Sequence, residues 1–120
     1  MYTVIRFTVV PAFSSVIAEI GNRLNEIEAG TFVGLRKAGD GFTCEVAGAQ
    51  GWIQQRKAVG QFVTRFAPVI EDAVAAGVNV TCDVAVEPED YRDEVAVVAW
   101  DIEILELFSK LRMSLEVSVY

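Results

Sequence analysis

Residues 78–86 read Val-Asn-Val-Thr-Cys-Asp-Val-Ala-Val, and apolar and polar side chains alternate strictly as far as Asp83. Successive side chains of a β-strand point to opposite faces of its sheet, so the alternation predicts a strand with one buried face. That face would carry Val78, Val80, Cys82, Val84 and Val86, with Asn79, Thr81 and Asp83 opposite. Two such different faces indicate a sheet with helices on one side and water on the other.

Five further stretches are predicted to be strands: residues 3–10, 31–36, 42–46, 95–100 and 113–120. The last alternates as well as residues 78–86, with Met113, Leu115, Val117 and Val119 against Ser114, Glu116, Ser118 and Tyr120. The turn-forming sequence Lys37-Ala38-Gly39-Asp40-Gly41 joins the second and third stretches, so these are expected to form a hairpin.

Three stretches have the spacing of amphipathic helices. Ser14 or Ser15 can cap the first, Gly30 can end it, and its apolar stripe is Val16, Ile17, Ile20, Leu24 and Ile27. The second starts at Trp52 and ends at Gly77. It contains Pro68, which predicts a kinked helix or two short helices meeting at Ala67-Pro68.

Asp101 is placed to cap the third helix, which carries Ile104, Leu105, Phe108 and Leu111 inward. The predicted order is therefore β-α-β-β-α-β-β-α-β. A chain of 120 residues has the size of one domain. We expect a single α+β domain over residues 1–120, with a single layer of about six mostly antiparallel strands and helices packed on one face.

The charge and the residue types restrict the function. The chain has no histidine, and 17 acidic against 10 basic residues give a net charge of −7. Histidine is the usual general base and metal ligand near neutral pH. The excess of acid disfavours nucleic acids and anionic membranes, which bind through Lys and Arg, and it favours a basic protein partner. The alternative is that the acidity only provides solubility.

The two cysteines, Cys44 and Cys82, lie in alternating stretches without a neighbouring metal ligand. They are predicted to be reduced thiols of the core, with no metal site and no cofactor. The sequence also has no apolar run of about 18 residues, and its start lacks the pattern of a signal peptide. We therefore expect a cytoplasmic protein.

The connection from Glu87 to Glu94, here called the acidic loop, is the first candidate site. It holds five carboxylates in eight residues and only one basic side chain. Its predicted partner-binding residues are Glu87, Glu89, Asp90, Tyr91, Asp93 and Glu94. The alternative is a solvated hairpin tip. A calcium site is a weaker option, because the loop lacks the spacing of an EF-hand.

The polar face of the predicted sheet is the second candidate. It would carry Arg6, Thr8, Thr81, Asp83, Ser114, Glu116 and Ser118, flanked by Tyr2, Tyr91 and Tyr120. Polar groups with aromatic neighbours suit protein recognition. The alternative is an ordinary hydrated sheet face on which Arg6 and Glu116 pair across strands.

No arrangement of residues predicts a catalytic site. Glu103 and Glu106 are expected to be exposed, whereas a hydrolase with paired carboxylates needs one buried member. Ser14 and Ser15 have no nucleophile elbow around them and no histidine base. We therefore expect a non-enzymatic protein with no catalytic residues.

From Trp52 onward the chain resembles a family of small uncharacterised bacterial proteins (domain of unknown function four-two-seven-nine). The resemblance rests on Trp52, on the helix segment 62–68 with its proline, on the strands near 78–86 and 95–98, and on the ending 104–120. The turn Leu-Gly-x-x-Pro that the family places after its first helix is absent. The resemblance implies a compact α+β fold without a known activity.

The overall profile also resembles that of bacterial toxin-immunity proteins, which are small, acidic and cytoplasmic. This resemblance implies a protein that binds and neutralises a cognate toxin, such as a basic nuclease, as in contact-dependent inhibition. The leading hypothesis is therefore an immunity protein. Two alternatives stay open: an assembly module acting through homo-oligomerisation of the final strand, and a small-molecule enzyme using carboxylates.

Overall fold

A computed structural model describes residues 1–8, 14–27, 36–38, 41–47, 51–91 and 98–120. The strands are β1 (Tyr2–Thr8), β2 (Arg36–Ala38), β3 (Gly41–Ala47), β4 (Asn79–Val86) and β5 (Ser114–Val119). The helices are α1 (Ser14–Ile27), α2 (Trp52–Ala75), α3 (Pro88–Tyr91) and α4 (Ile102–Leu111). None of the described helices is long and apolar enough to cross a membrane.

The described strands form one sheet in the order β2-β3-β1-β4-β5. The pairs β2–β3, β3–β1 and β1–β4 are antiparallel, and β4–β5 is parallel. The strand β1 thus lies at the centre of the described sheet. Gly41 is required beside it, because a Cβ atom there would lie 2.0 Å from the carbonyl oxygen of Phe7.

The prediction of about six mostly antiparallel strands was wrong. The structure is α+β, but its described sheet is mixed and has five strands. The chain leaves β4 through α3 and returns through α4, and such a crossover makes β5 parallel to β4. Of the strand predicted at 95–100, residues 98–100 have no regular structure, and the rest lies outside the described residues.

Several other predictions also fall outside the described residues. They are the strand residues 31–35, the helix stop at Gly30, and the centre of the hairpin turn at 39–40. The helix α1 begins at Ser14, and the side chains of Ser14 and Ser15, which were predicted to cap it, lie outside the described residues. It presents Ile20 and Leu24 to the core.

The long helix α2 continues through Pro68, so of the two predicted alternatives the one with two short helices was wrong, and a single helix crosses the proline. Pro68 itself is exposed, whereas Phe66, Val69 and Ile70 beside it are buried. Burial of these large side chains offsets the backbone hydrogen bond that the proline removes. Beyond the helix, Gly77 adopts a φ of +91°, which agrees with its predicted role as a stop signal.

The core lies between the helices and one face of the sheet, here called the helix face. It joins Ile5 and Phe7 of β1, Cys44 of β3, and Val80 and Cys82 of β4 to apolar residues of α1, α2 and α4. A buried polar contact fixes the start of α2 on β1. The Thr3 hydroxyl donates to Gln55 Oε1 at 2.7 Å, and Gln55 Nε2 donates to the Met1 carbonyl oxygen at 2.6 Å. This pair was not predicted from the sequence.

Candidate binding surface

The opposite side of the sheet, here called the open face, carries the polar residues of β1, β4 and β5. The strand register places Arg6 opposite Thr81, which in turn lies opposite Ser114. Asp83 lies opposite Glu116 in the next row. The predicted set Arg6, Thr8, Thr81, Asp83, Ser114, Glu116 and Ser118 therefore shares one face, as the alternation indicated.

An ion-pair network crosses three strands of the open face. The Arg6 guanidinium reaches over β4, where Nη2 lies 3.3 Å from Asp83 Oδ2, and it pairs with Glu116 Oε2 on β5. The predicted contact between Arg6 and Glu116 is confirmed. Ser118 supports the network, because its hydroxyl donates to Asp83 Oδ1 at 2.9 Å. Arg6 thus forms ion pairs with two carboxylates, so the network carries a net negative charge.

Asp83 is the most enclosed member of this network, with 4 % of its surface exposed. A carboxylate with so little access to water needs charged or hydrogen-bonding partners, which Arg6 and Ser118 provide. The Glu116 side chain, in contrast, is 55 % exposed. The network therefore holds a fixed centre at Asp83 and offers an accessible carboxylate at Glu116.

Two tyrosines form one end of the open face. The hydrogen bond with Tyr120 raises the pKa of Tyr2 above its usual value, and burial together with the charges of Tyr120, Glu87 and Asp83 raises it further. The pKa of Tyr2 is thus raised both by Asp83 of the open face and by Glu87 of the acidic loop. The Tyr120 amide donates to the Val86 carbonyl oxygen at 3.0 Å, which holds the chain end beside β4.

The acidic loop begins with a single helical turn, α3, and Asp90 fixes this turn. Its Oδ2 accepts a hydrogen bond from the Glu87 amide at 2.8 Å and lies 2.7 Å from the N-terminal amine of Met1. The hydrogen bond from that amine lowers the pKa of Asp90 below its usual value. Asp90 therefore holds the loop against the start of β1.

The other predicted loop residues differ in their placement. Glu89 is exposed and Glu87 is half-buried. Asp93, Glu94 and the side chain of Tyr91 lie outside the described residues. The structure thus brings the start of the acidic loop next to Tyr2 and the open face. The sequence alone left open whether the contact surface is the loop, the open face or a helix edge, because it does not place β1 beside β4.

A third cluster joins the start of α2 to the segment before α4. Trp52 Nε1 donates to the Ala99 carbonyl oxygen at 2.7 Å, and the ring of Trp52 meets that of Trp100 edge-on at 4.8 Å. Arg56 Nη1 lies 3.3 Å from Asp101 Oδ1. Asp101 precedes the first residue of α4 as predicted, but its side chain makes no capping hydrogen bond. The cluster fastens α4 to α2.

The described residues offer no group of three or more Cys, Asp or Glu side chains that could hold a metal ion. Both cysteines are buried, as predicted. Burial raises the pKa of each thiol to about 12, so neither is a thiolate near neutral pH.

Comparison with protein-family models, curated proteins and solved structures finds no match to this chain. The resemblances to the uncharacterised domain family and to immunity proteins therefore stay predictions.

Proposed function

We propose that this chain is a non-enzymatic binding protein that recognises a basic protein partner through its open face and the adjoining acidic loop. The network of Arg6, Asp83 and Glu116 carries the proposal, since it fixes two carboxylates around one arginine on a polar sheet face. An arrangement fixed before binding loses little conformational entropy when a partner arrives. Tyr2 and Tyr120 add aromatic surface at its edge.

The partner class that fits best is a bacterial toxin, and the chain would act as its cytoplasmic immunity protein. A nuclease toxin binds phosphate through a basic groove, and a carboxylate-rich surface can occupy that groove instead. The net charge of −7 would also speed association with such a partner.

The first test is the DNA that flanks the gene. An adjacent gene for a large secreted protein with a basic C-terminal domain would support the toxin proposal and supply the domain as a binding probe. A neighbourhood of metabolic or ribosomal genes would count against it.

The binding test uses charge reversals on exposed sites. Glu116→Lys and Glu89→Lys should each raise the Kd for that toxin domain about 10-fold, which is about 1.4 kcal/mol. Glu103→Lys and Glu106→Lys on α4 are matched controls, since both residues are exposed and outside the proposed surface. Their Kd should stay within about twofold of the wild-type value. Equal losses in all four variants, measured by calorimetry, would mean that only overall charge matters.

A second candidate function is assembly through homo-oligomerisation. The observation that favours it is the exposed apolar side of β5, which carries Leu115, Val117 and Val119.

A further inference from the structure

The strand β5 leaves an apolar row uncovered at the edge of the sheet. Leu115, Val117 and Val119 lie on the helix face, yet they are 38 %, 48 % and 69 % exposed. Among the described strands, β5 has a neighbour on one side only. It also lacks the lysine, proline or bulge with which edge strands usually prevent pairing. Its only charged residue is Glu116.

The direction of the backbone groups on β5 follows from its pairing with β4. The Tyr120 amide donates inward to Val86, and backbone groups of alternate residues point to the same side of a strand. Ser114, Glu116 and Ser118 therefore also direct their N–H and C=O groups toward β4. Leu115, Val117 and Val119 direct theirs to the other side, where no described strand pairs with them, so the same three residues present apolar side chains and outward backbone groups.

We propose that a second copy of this chain pairs with that edge, β5 against β5 in antiparallel orientation, about a two-fold axis at Val117. In this register Val117 faces Val117 of the second copy, and Leu115 faces Val119. These pairs exchange both backbone hydrogen bonds, which gives six bonds across the interface. Glu116 faces Ser118, so no like charges meet directly.

Neighbouring registers are less favourable. A two-fold axis at Glu116 would place the two Glu116 carboxylates opposite each other, which is destabilising, and would leave only four edge hydrogen bonds. An axis at Ser118 also gives four bonds. The axis at Val117 uses every outward backbone group of the strand and places each apolar side chain of the row directly beside one from the second copy. The pattern of β5 is thus complementary to itself.

The dimer would have one ten-stranded sheet, five described strands from each copy. Because the axis is perpendicular to the sheet, both open faces lie on the same side and stay accessible. The dimer therefore does not depend on the proposed partner, and it would present two partner surfaces side by side.

The net charge of −7 on each copy opposes association. Salt screens this repulsion over about 8 Å at physiological ionic strength, while the apolar contact persists. We therefore expect the dimer to strengthen as sodium chloride rises from 0.02 to about 0.5 M.

Sedimentation equilibrium of the full chain at micromolar concentrations tests the proposal. The wild type should sediment as a dimer, and Val117→Asp, which places two carboxylates opposite each other, should be monomeric. Val119→Asp should also weaken the dimer, whereas Ile53→Asp should not, although Ile53 on α2 is as exposed as Val119, at 70 % against 69 %. A monomeric wild type across the salt range would overturn the proposal. So would a dimer that Val117→Asp leaves intact, provided circular dichroism shows that the variant is folded.

Cysteine cross-linking tests the register. Leu115→Cys and Val119→Cys proteins, each otherwise wild type, should form a disulfide dimer when mixed and oxidised, and much less when oxidised alone. The buried wild-type thiols should stay unreactive under these conditions. Preferred cross-linking of Leu115→Cys with Val117→Cys would instead place the axis at Glu116 and overturn the proposed register.

Discussion

Strands β4 and β5 are neighbours with similar alternating sequences, but their burial is opposite. In the register of the sheet Val84 lies beside Val117; the first is fully buried and the second is 48 % exposed. The helix α2 packs on β1, β3 and β4, and β5 lies beyond them at the edge. An alternating pattern thus shows which residues share a face, whereas the position in the sheet decides whether that face is covered.

The largest expected difference between the two strands concerns their valines. Val84→Ala should lower the free energy of unfolding by about 2–3 kcal/mol, because it leaves a cavity at a fully buried site. Val117→Ala should change it by less than about 0.5 kcal/mol. Urea denaturation at submicromolar concentration, which limits self-association, measures both values. Equal losses would mean that β5 is covered in the folded monomer.

The next pair in the register, Asp83 and Glu116, should show a smaller difference. Asp83→Ala removes the acceptor for Ser118 and one partner of Arg6, and we expect a loss of about 1–2 kcal/mol. Glu116→Ala removes an exposed ion pair and should cost less than about 0.5 kcal/mol. The same denaturation experiment applies, with Glu103→Ala as a control for loss of an exposed carboxylate. If Glu116→Ala lowered the free energy of unfolding more than Asp83→Ala, the centre of the network would lie on β5.

The third pair in the register is Cys82 and Leu115. A thiol at each of these two positions should differ in its rate of reaction, and Leu115→Cys should change the free energy of unfolding little. A thiol introduced by Leu115→Cys should react with a thiol reagent at least about 100-fold faster than the wild-type cysteines, because reaction of a buried thiol requires local opening. Comparable rates at both positions would contradict the burial of Cys82.

The buried thiol of Cys82 should also make the stability of the protein depend on alkaline pH. Burial raises the pKa of Cys82 from 9.0 to about 12, so the folded state favours the protonated thiol. Its contribution to stability is complete below about pH 9 and is lost as the pH rises toward 12. Cys82→Ala should therefore flatten the fall in thermal stability above pH 9, as measured by calorimetric scans.

Much of the fold could be predicted from side-chain periodicity. The bounds of β4, β5 and α4 agree within one or two residues with the alternating and helical patterns. The strand order could not be predicted, because the alternation in β1 does not specify β3 and β4 as its neighbours. The choice at Pro68 between one kinked helix and two short helices was left open, since the continuity of α2 depends on packing from other parts of the chain.

The candidate surface could also be predicted only in part from side-chain periodicity. The period of two placed Arg6, Asp83 and Glu116 on one face, and the predicted contact between Arg6 and Glu116 is present. The role of Asp90 was not foreseen, because its partner is the amine of Met1, which is distant in sequence. Whether β5 lies at the edge of the sheet was left open, because the sequence of an edge strand can match that of a covered one.

The central position of β1 has a consequence for synthesis of the protein. This strand emerges from the ribosome before both of its neighbours, and β4 ends only at Val86. At 5–20 residues per second, translation of the intervening chain takes about 4–16 s. For that time a strand carrying Ile5 and Phe7 has no complete sheet to join. We therefore expect chaperones to bind most strongly to nascent chains that contain β1 but not yet all of β4.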